Sequence, residues 1–303
     1  MSEIKFPIYL DHHATTPLDK RVLDEMIPYF TEKFGNASSL DHSFGYDASV
    51  AVEEAREKIA NVIGARHDEI VFTSGATESD NIALLGTMQK YADRGNHLIT
   101  CVTEHKAILD TAKHLESLGK KVTYLPVNEF GEIDLKELEE SITDDTVMIS
   151  IMMANNEIGT IQDVKAIGEI AHRHDVIFHT DAAQAVGHIS IDVEKMSIDL
   201  MSFSAHKMYG PKGVGALYVR GVKPRVKPDG LFYGGGQERN IRSGTLNVPG
   251  IVGFGKAVEI SQKEMDAENQ RFSEWSAMML EEFEKIGGVL NGHRSKRLSH
   301  NLN

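Results

Sequence analysis

Residues 176–184 read VIFHTDAAQ, an apolar stretch that ends in Asp181 and, three residues later, in Gln184. Val, Ile, Phe and Thr are residues that favour strands. A short apolar run bounded by polar residues predicts a strand buried in a parallel sheet. Open α/β sheets bind their ligands beyond the carboxyl ends of the strands, so Asp181 and Gln184 are candidate site residues.

Similar β-rich runs lie on both sides of this stretch and alternate with helical segments. The runs are residues 69–73, 97–102, 121–126, 146–152, 200–204 and 216–219, and the helical segments include residues 47–63 and 160–174. This alternation predicts an α/β fold with a largely parallel sheet flanked by helices.

The C-terminal part of the chain has a different pattern. Residues 249–286 are rich in Glu, Lys, Met and Ala and are apolar at helical spacing, which predicts one or two long helices that leave the sheet. Residues 289–303 contain a short strand candidate followed by a polar run without a closing element.

Composition excludes several classes of protein. The chain has 303 residues, of which 41% are hydrophobic and 25% charged, and its net charge is −13. These values exclude a disordered tail and a disulfide-stabilised miniprotein. The negative charge argues against nucleic acids and anionic membranes as partners. Neither a signal pattern nor an apolar run long enough to span a membrane is present, and with a single cysteine the sequence predicts a cytoplasmic protein without a metal site.

Three segments contain residues suited to one cofactor. Residues 71–81 (VFTSGATESDN) run from a strand through a glycine turn into a helix, and Thr77 with Asp80 has the spacing of a capping box. The backbone N–H groups at such a helix start can bind a phosphate, although an ordinary strand–turn–helix is the alternative. Asp181 is either a carboxylate paired with a buried cation or a helix N-cap.

Lys207 lies in the third segment, residues 202–215 (SFSAHKMYGPKGVG). A lysine that follows an apolar strand is partly desolvated, which lowers its pKa and suits it to form a Schiff base. A solvated loop lysine is the alternative. A phosphate cradle, a strand-end carboxylate and a reactive lysine are together what pyridoxal phosphate requires for its phosphate, its pyridine nitrogen and its aldehyde.

With these motifs the sequence resembles the cysteine desulfurases, which belong to the class-V aminotransferase-like pyridoxal-phosphate enzymes. The matching segments occur in family order along essentially the whole chain: residues 9–17, 34–36, 73–81, 103–106, 155–159, 181–184, 204–213, 234–239 and 242–245.

The resemblance implies a fold-type I transferase with a mostly parallel seven-stranded sheet and an incomplete small α/β domain. Residues 1–18 would form the N-terminal arm of the small domain, residues 19–258 the large cofactor-binding domain, and residues 259–303 the start of the small C-terminal domain.

The same resemblance implies a role for each site residue. Lys207 would bind the cofactor aldehyde as a Schiff base and later move protons. His105 would stack on the ring and take part in acid–base steps, and Asp181 would hold the pyridine proton. Gln184 and Asn156 would contact the ring oxygen and the substrate. The phosphate would be bound by Ala76, Thr77, Ser204 and His206. In a homodimer, Thr245 would contact the phosphate bound by the neighbouring subunit.

The reaction implied is the removal of sulfur from L-cysteine, which gives L-alanine and a sulfur atom for an iron–sulfur scaffold or another acceptor protein. The family's nucleophilic cysteine and its carboxylate-binding arginine lie downstream of the segment that resembles residues 297–303, so the chain is expected to be C-terminally truncated. A catalytically incomplete scaffold subunit is the alternative, and a general aminotransferase is a weaker one.

Cys101, after an apolar run, is expected to be a small buried residue rather than a nucleophile. His12 and His13 are expected to be exposed loop residues.

Overall fold

A seven-stranded sheet forms the centre of the fold in the computed structural model, which describes residues 6–303. The strands are β1 (Ile70–Thr73), β2 (His97–Cys101), β3 (Lys121–Leu125), β4 (Thr146–Ser150), β5 (Ile177–Asp181), β6 (Leu200–Ser204) and β7 (Gly215–Val219). Their order across the sheet is β1-β7-β6-β5-β4-β2-β3. Strand β7 runs antiparallel to both of its neighbours, β1 and β6, and the other six strands of the sheet share one direction. The mostly parallel seven-stranded sheet predicted from the sequence is therefore confirmed.

The helices pack on both sides of this sheet. They are α1 (Lys20–Met26), α2 (Pro28–Thr31), α3 (Ser43–Ile63), α4 (Ala76–Asn81), α5 (Thr87–Lys90), α6 (Lys106–Ser117), α7 (Leu135–Glu140), α8 (Val164–Arg173) and α9 (Val248–Lys285). A π-helical turn, Ile82–Gly86, joins α4 to α5.

Two apolar cores lie on opposite faces of the sheet, because successive residues of a strand point to opposite sides. Along β1, Ile70 and Phe72 belong to one core while Val71 belongs to the other. The central strands are buried along their whole length, whereas the edge strand β3 is mostly half-buried.

The long C-terminal helix is confirmed as a single helix, α9, of 38 residues. Its buried residues end at Val258. In its first part Gly255 allows a close approach to α3, since a Cβ atom there would lie 2.8 Å from the Cα of Ala55. The proposed boundary between residues 258 and 259 falls inside this continuous helix, where it leaves the core, and the division into domains stays a prediction.

The strand expected in residues 289–303 is wrong. The segment instead lies along the loop that follows β4: Ile161 N donates to Lys296 O at 3.0 Å and Leu298 N donates to Gly159 O at 2.9 Å. These bonds pair backbone groups without forming a ladder, so the segment is held in place but remains irregular. Among residues 6–303, no helix has the length and apolarity needed to cross a membrane.

Candidate cofactor site

The predicted site residues converge at one edge of the sheet. Strands β2, β4, β5 and β6 are parallel, and β1 has the same direction because it and β6 are both antiparallel to β7. The carboxyl ends of five strands thus meet at one edge, where a cavity of 1370 Å³ opens. Its lining includes Ala76, Thr77, His105, Asn156, Asp181, Gln184, Ser204, His206 and Lys207.

Lys207 lies in the short 3-10 turn Ala205–Lys207 that follows β6. Its Nζ donates to the backbone oxygens of His13 and Ala14, the latter at 3.0 Å. Burial lowers the pKa of the Lys207 amine, against the opposing attraction of Asp181 and Asp11. Because its two acceptors are neutral carbonyls, the amine is poised to lose its proton and act as a nucleophile.

Asp181 ends β5 and is buried at the base of the cavity. Its Oδ1 accepts a hydrogen bond from Ala183 N at 2.8 Å. Burial raises the pKa of the carboxyl, while the charges of His105 and Lys207 act to lower it. A cationic group bound in the cavity would complement this carboxylate.

Two further buried carboxyl groups, those of Asp80 and Glu104, lie close enough to Asp181 to interact with its charge. Burial raises the pKa of Asp80 well above its usual range, and it raises that of Glu104 to about 8. Glu104 Oε1 accepts a hydrogen bond from Met152 N at 2.6 Å. Sequence analysis did not identify either residue as a buried neighbour of Asp181, because both lie in polar stretches, residues 77–81 and 103–106, that give no sign of burial.

The expected phosphate cradle lies where β1 turns into α4. Gly75 has a φ of +149°, which a residue with a side chain rarely adopts. Ala76 and Thr77 start the helix, so their N–H groups have no intrahelical acceptors. Ser204 borders this turn, since a Cβ on Gly75 would lie 3.7 Å from its Oγ.

The capping box predicted for Thr77 and Asp80 is wrong. Helix α4 begins at Ala76 with Gly75 as its N-cap, so Thr77 is already inside the first turn. The carboxylate that reaches back is that of Glu78, whose Oε2 accepts from Ser74 N at 2.7 Å. The prediction placed the helix start too late because the glycine that starts it has no capping side chain.

His206 lines the same cavity. Its Nδ1 lies 3.0 Å from Thr15 Oγ1, and its backbone oxygen accepts hydrogen bonds from Thr16. Burial, with the nearby cations of Lys207 and Lys212, lowers the pKa of His206 to about 4. The imidazole is therefore neutral at pH 7, and His206 can offer an N–H group but no positive charge.

His105 is the N-cap of α6, and its Nδ1 accepts a hydrogen bond from Ala107 N at 3.1 Å. His105 lines the cavity, and this bond engages its Nδ1 rather than its Nε2. Asn156 follows β4 and lines the cavity, half-buried. Its neighbour Asn155 instead holds the turn, accepting from the N–H groups of Glu157 and Ile158 at 2.9 Å each.

Comparison with known proteins agrees with this geometry. The family described as aminotransferase class-V matches residues 8–303. A cysteine desulfurase IscS of Neisseria meningitidis (serogroup C / serotype 2a) is 54% identical over 301 residues, which cover 99% of this chain and 74% of the relative. A cysteine desulfurase IscS of Rickettsia africae is 52% identical over 305 residues, with 100% and 74% covered.

Solved structures show the same likeness. A NifS-like protein superposes with a TM-score of 0.93 and 42% identity, covering 96% of this chain and 80% of that one. SspA in complex with cysteine superposes with a TM-score of 0.80 and 47% identity, covering 83% and 72%.

The chain belongs to the cysteine desulfurases of the class-V aminotransferase family. It spans about three quarters of the length of its curated relatives, as expected from its resemblance to only part of the family sequence.

Pyridoxal phosphate, the cofactor of this family, fits the groups in the cavity. Lys207 presents an amine to its aldehyde, and Asp181 a buried carboxylate to its pyridine nitrogen. The first turn of α4 offers its phosphate two N–H groups beside Ser204. Each of the three attachment points of the cofactor thus has a matching group of suitable charge.

Two residues that the sequence analysis considered for a functional role, Cys101 and Thr245, do not line the cavity of this cysteine desulfurase. Cys101, at the end of β2, is fully buried, and burial together with the charge of Glu104 raises the pKa of its thiol. A thiol in this state is a poor nucleophile, and the expected buried residue is confirmed. Thr245 is exposed and does not line the cavity of its own chain.

The structure also adds His13 to the cavity lining, and the sequence analysis was wrong to expect this residue to be exposed. His13 is half-buried in the cavity wall and bonds Gln184, rather than lying in an exposed loop. His13 and Gln184 lie 171 residues apart in the sequence. The contact between them, and with it the burial of His13, could therefore not be predicted from local sequence.

Proposed function

We propose that this protein uses pyridoxal phosphate to remove sulfur from L-cysteine, leaving L-alanine. The observation that carries the proposal is the placement of Lys207, Asp181 and the α4 phosphate cradle around one cavity, in a chain 54% identical to a cysteine desulfurase. The specific roles of the site residues rest on this arrangement.

Bound pyridoxal phosphate supplies a ring that accepts the electron pair released at the substrate α-carbon. The protein keeps that ring electron-withdrawing through Asp181, whose carboxylate holds a proton at the pyridine nitrogen. Its position at the buried base of the cavity favours this pairing, because a carboxylate and a cation attract strongly where water is excluded.

Lys207 transfers protons to and from the substrate carbons. Its Nζ enters the cavity from the turn after β6, and its lowered pKa supplies the free amine that both Schiff-base chemistry and proton transfer need. His105 handles a proton at Nε2, the nitrogen left free by the bond from Ala107 N.

The sulfur atom requires an acceptor thiolate. Cys101 does not serve, because it is fully buried in β2 and burial raises its pKa. We propose that the sulfur passes to a thiol outside residues 6–303 and from there to an iron–sulfur scaffold or another acceptor protein. A buried free thiol suits a reducing compartment, and we propose the cytoplasm as the place of action.

We further propose that the active protein is a homodimer. Thr245 is exposed rather than turned into its own cavity, which suits a contact with the phosphate bound by a neighbouring subunit. An apolar surface formed by Phe34, Phe44 and Tyr46 supports the proposal, since these side chains are 64%, 51% and 60% exposed. The rings of Phe34 and Phe44 lie 5.4 Å apart, so the two form one patch.

The test mixes the purified protein with pyridoxal phosphate, L-cysteine and dithiothreitol, whose thiols accept the sulfur atom and release it as sulfide, and it records three signals: the absorbance of lysine-bound cofactor, released alanine and released sulfide. We expect the band and alanine to form, and Lys207→Ala to abolish both. Lys165→Ala, at an exposed position on α8, is the matched control and should change neither. A band without alanine would contradict desulfurase activity of this chain and favour the scaffold alternative.

A further inference from the structure

We propose that His13 is a positioning residue: its imidazole fixes the Gln184 amide so that Gln184 presents only a hydrogen-bond donor to the cofactor ring. The inference rests on the proposed function and adds to it a residue of the N-terminal arm. It also makes Asn301 part of the same hydrogen-bonded chain.

The orientation of the Gln184 amide follows from two bonds to His13. Gln184 Nε2 lies 2.9 Å from the backbone oxygen of His13. A carbonyl oxygen can only accept, so the NH₂ group of the amide must face it. Gln184 Oε1 therefore faces the His13 ring, 3.1 Å from Nδ1.

The tautomer of His13 follows from the amide. Since Gln184 Oε1 is an acceptor, His13 Nδ1 must carry the proton. In a neutral imidazole the other nitrogen, Nε2, then accepts. Asn301 Nδ2 lies 3.3 Å from Nε2 and supplies the donor that this tautomer requires.

Asn301 is itself oriented from its other side. Its Oδ1 accepts a hydrogen bond from the Arg297 guanidinium at 2.8 Å, and its Nδ2 donates to Glu157 O at 3.0 Å. Its amide cannot flip without breaking both bonds. Hydrogen bonds thus run in one direction, from Arg297 through Asn301 and His13 to Gln184.

The surroundings keep the His13 ring neutral. A neutral ring is required because Nε2 must accept the hydrogen bond from Asn301. Burial and the nearby Lys207 charge lower its pKa, and these outweigh the hydrogen bonds to Gln184 and to the His300 backbone and the charge of Asp11, which raise it. The ring also stacks on that of His300 at a centroid distance of 4.7 Å and an interplanar angle of 10°. His300, packed against His188 at 4.3 Å, is likewise held neutral by burial.

The consequence concerns the group that Gln184 can offer. Its oxygen is occupied by His13 Nδ1, and one of its two amide hydrogens by His13 O. The remaining hydrogen is a donor on a residue that lines the cavity. A donor suits an ionised ring oxygen, whereas a flipped amide would set its own oxygen against that charge and repel it.

The test uses His13→Phe, which keeps an aromatic ring against His300 and the backbone oxygen that Lys207 and Gln184 contact but removes both ring nitrogens. We expect the dissociation constant of pyridoxal phosphate to rise about 3- to 10-fold. The pH midpoint of the lysine-bound cofactor band should move up, because the more negative form of the cofactor loses its donor. His13→Gln, which retains a donor and an acceptor, should restore the midpoint.

A double-mutant cycle separates positioning from general damage. In a Gln184→Ala background, His13→Phe should produce no additional change in the midpoint, because the residue it positions is absent. Should His13→Phe fail to fold, Asn301→Leu provides the second variant: it removes the donor to Nε2, so that the tautomer with the proton on Nδ1 is no longer favoured, and it should raise the midpoint by a smaller amount.

The outcomes distinguish the inference from the proposed function. A folded His13→Phe protein that forms the band with an unchanged midpoint and unchanged cofactor affinity overturns the role of His13 alone. Equal effects of His13→Phe with and without Gln184 also overturn it. Absence of the band in the parent protein overturns the proposed function itself.

Discussion

At the scale of single residues, the ionisable groups of the site are governed by burial more than by direct partners. Burial raises the pKa values of Asp80, Glu104 and Asp181 and lowers that of Lys207. Three buried carboxyls near one another cannot all be charged at low cost. We infer that Glu104, whose pKa is about 8, holds a proton at pH 7, which leaves one charge fewer beside the Asp181 carboxylate.

Glu104→Gln tests this inference through stability. The pKa of Glu104 is about 8 in the folded protein, against an ordinary value of 4.5, so keeping it buried costs more as pH rises from 4.5 to 8. Glutamine mimics the protonated acid and keeps the acceptor for Met152 N. We expect the variant to gain stability over the parent as pH rises, by at most about 1.4 kcal/mol per pH unit.

The measurement is urea unfolding of both proteins at pH 5, 6.5 and 8. Below pH 4.5 the two should converge, because the unfolded parent is then protonated as well. A difference in the free energy of unfolding that is the same at every pH would contradict a buried neutral Glu104.

Cys101 provides a prediction about reactivity. Its thiol is fully buried and lies 3.3 Å from Glu104 Oε1, and burial raises its pKa. We expect the folded protein to react with a thiol reagent at pH 8 at least about a hundredfold more slowly than the urea-unfolded protein. Sulfide release that survives Cys101→Ser would agree with this, whereas rapid labelling of the folded protein would contradict it.

At the scale of elements, a buried ion pair joins α3 to the short 3-10 turn Glu238–Asn240. The Arg56 guanidinium binds both carboxylate oxygens of Glu238 at 2.8 Å each. Glu238 also accepts from Phe72 N in β1 at 2.7 Å. The pair therefore ties the segment that leads to Thr245 to the strand that leads into the phosphate cradle.

Glu238→Gln is expected to destabilise the protein by about 3 to 5 kcal/mol, because it leaves the buried Arg56 charge without its partner. Glu53→Gln is the matched control: Glu53 contacts the same guanidinium at 3.1 Å, but its side chain is 52% exposed. We expect that change to cost less than about 1 kcal/mol. Urea unfolding measures both, and equal losses would show that burial does not decide the strength of this pair.

At the scale of the whole molecule, the apolar patch of Phe34, Phe44 and Tyr46 predicts self-association. Phe44→Glu should shift the protein from the proposed dimer to a monomer in sedimentation and weaken cofactor binding, because the proposed contact from Thr245 of a neighbouring subunit is then lost. Leu118→Glu, at a position 63% exposed beyond the end of α6, is the control and should leave the dimer intact. A parent protein that sediments as a monomer at micromolar concentration would contradict the homodimer.

Most of the sheet could be predicted from local sequence, as could Asp181, Lys207 and the turn into α4, whereas the roles of the other proposed site residues were implied by the family resemblance. Each strand was visible as an apolar run, and Asp181 and Lys207 were found because they follow such runs. The start of α4 was placed wrongly, since Gly75 caps it without a side chain, and residues 289–303 were wrongly expected to contain a strand. In both places the conformation is set by backbone contacts that leave little mark on residue type.

The sequence by itself determined the α/β architecture and the strand-end residues, such as Asp181 and Lys207, that line one cavity, because strand patterns and strand-end residues are local properties. Only the tertiary structure decided what surrounds these residues. It places the buried carboxyl groups of Asp80 and Glu104 beside Asp181. It also forms the series of hydrogen bonds that runs from Arg297 through Asn301 and His13 to Gln184. These arrangements join residues up to 288 positions apart. Charge states and hydrogen-bond directions depend on distance in space and on burial, neither of which a local pattern contains.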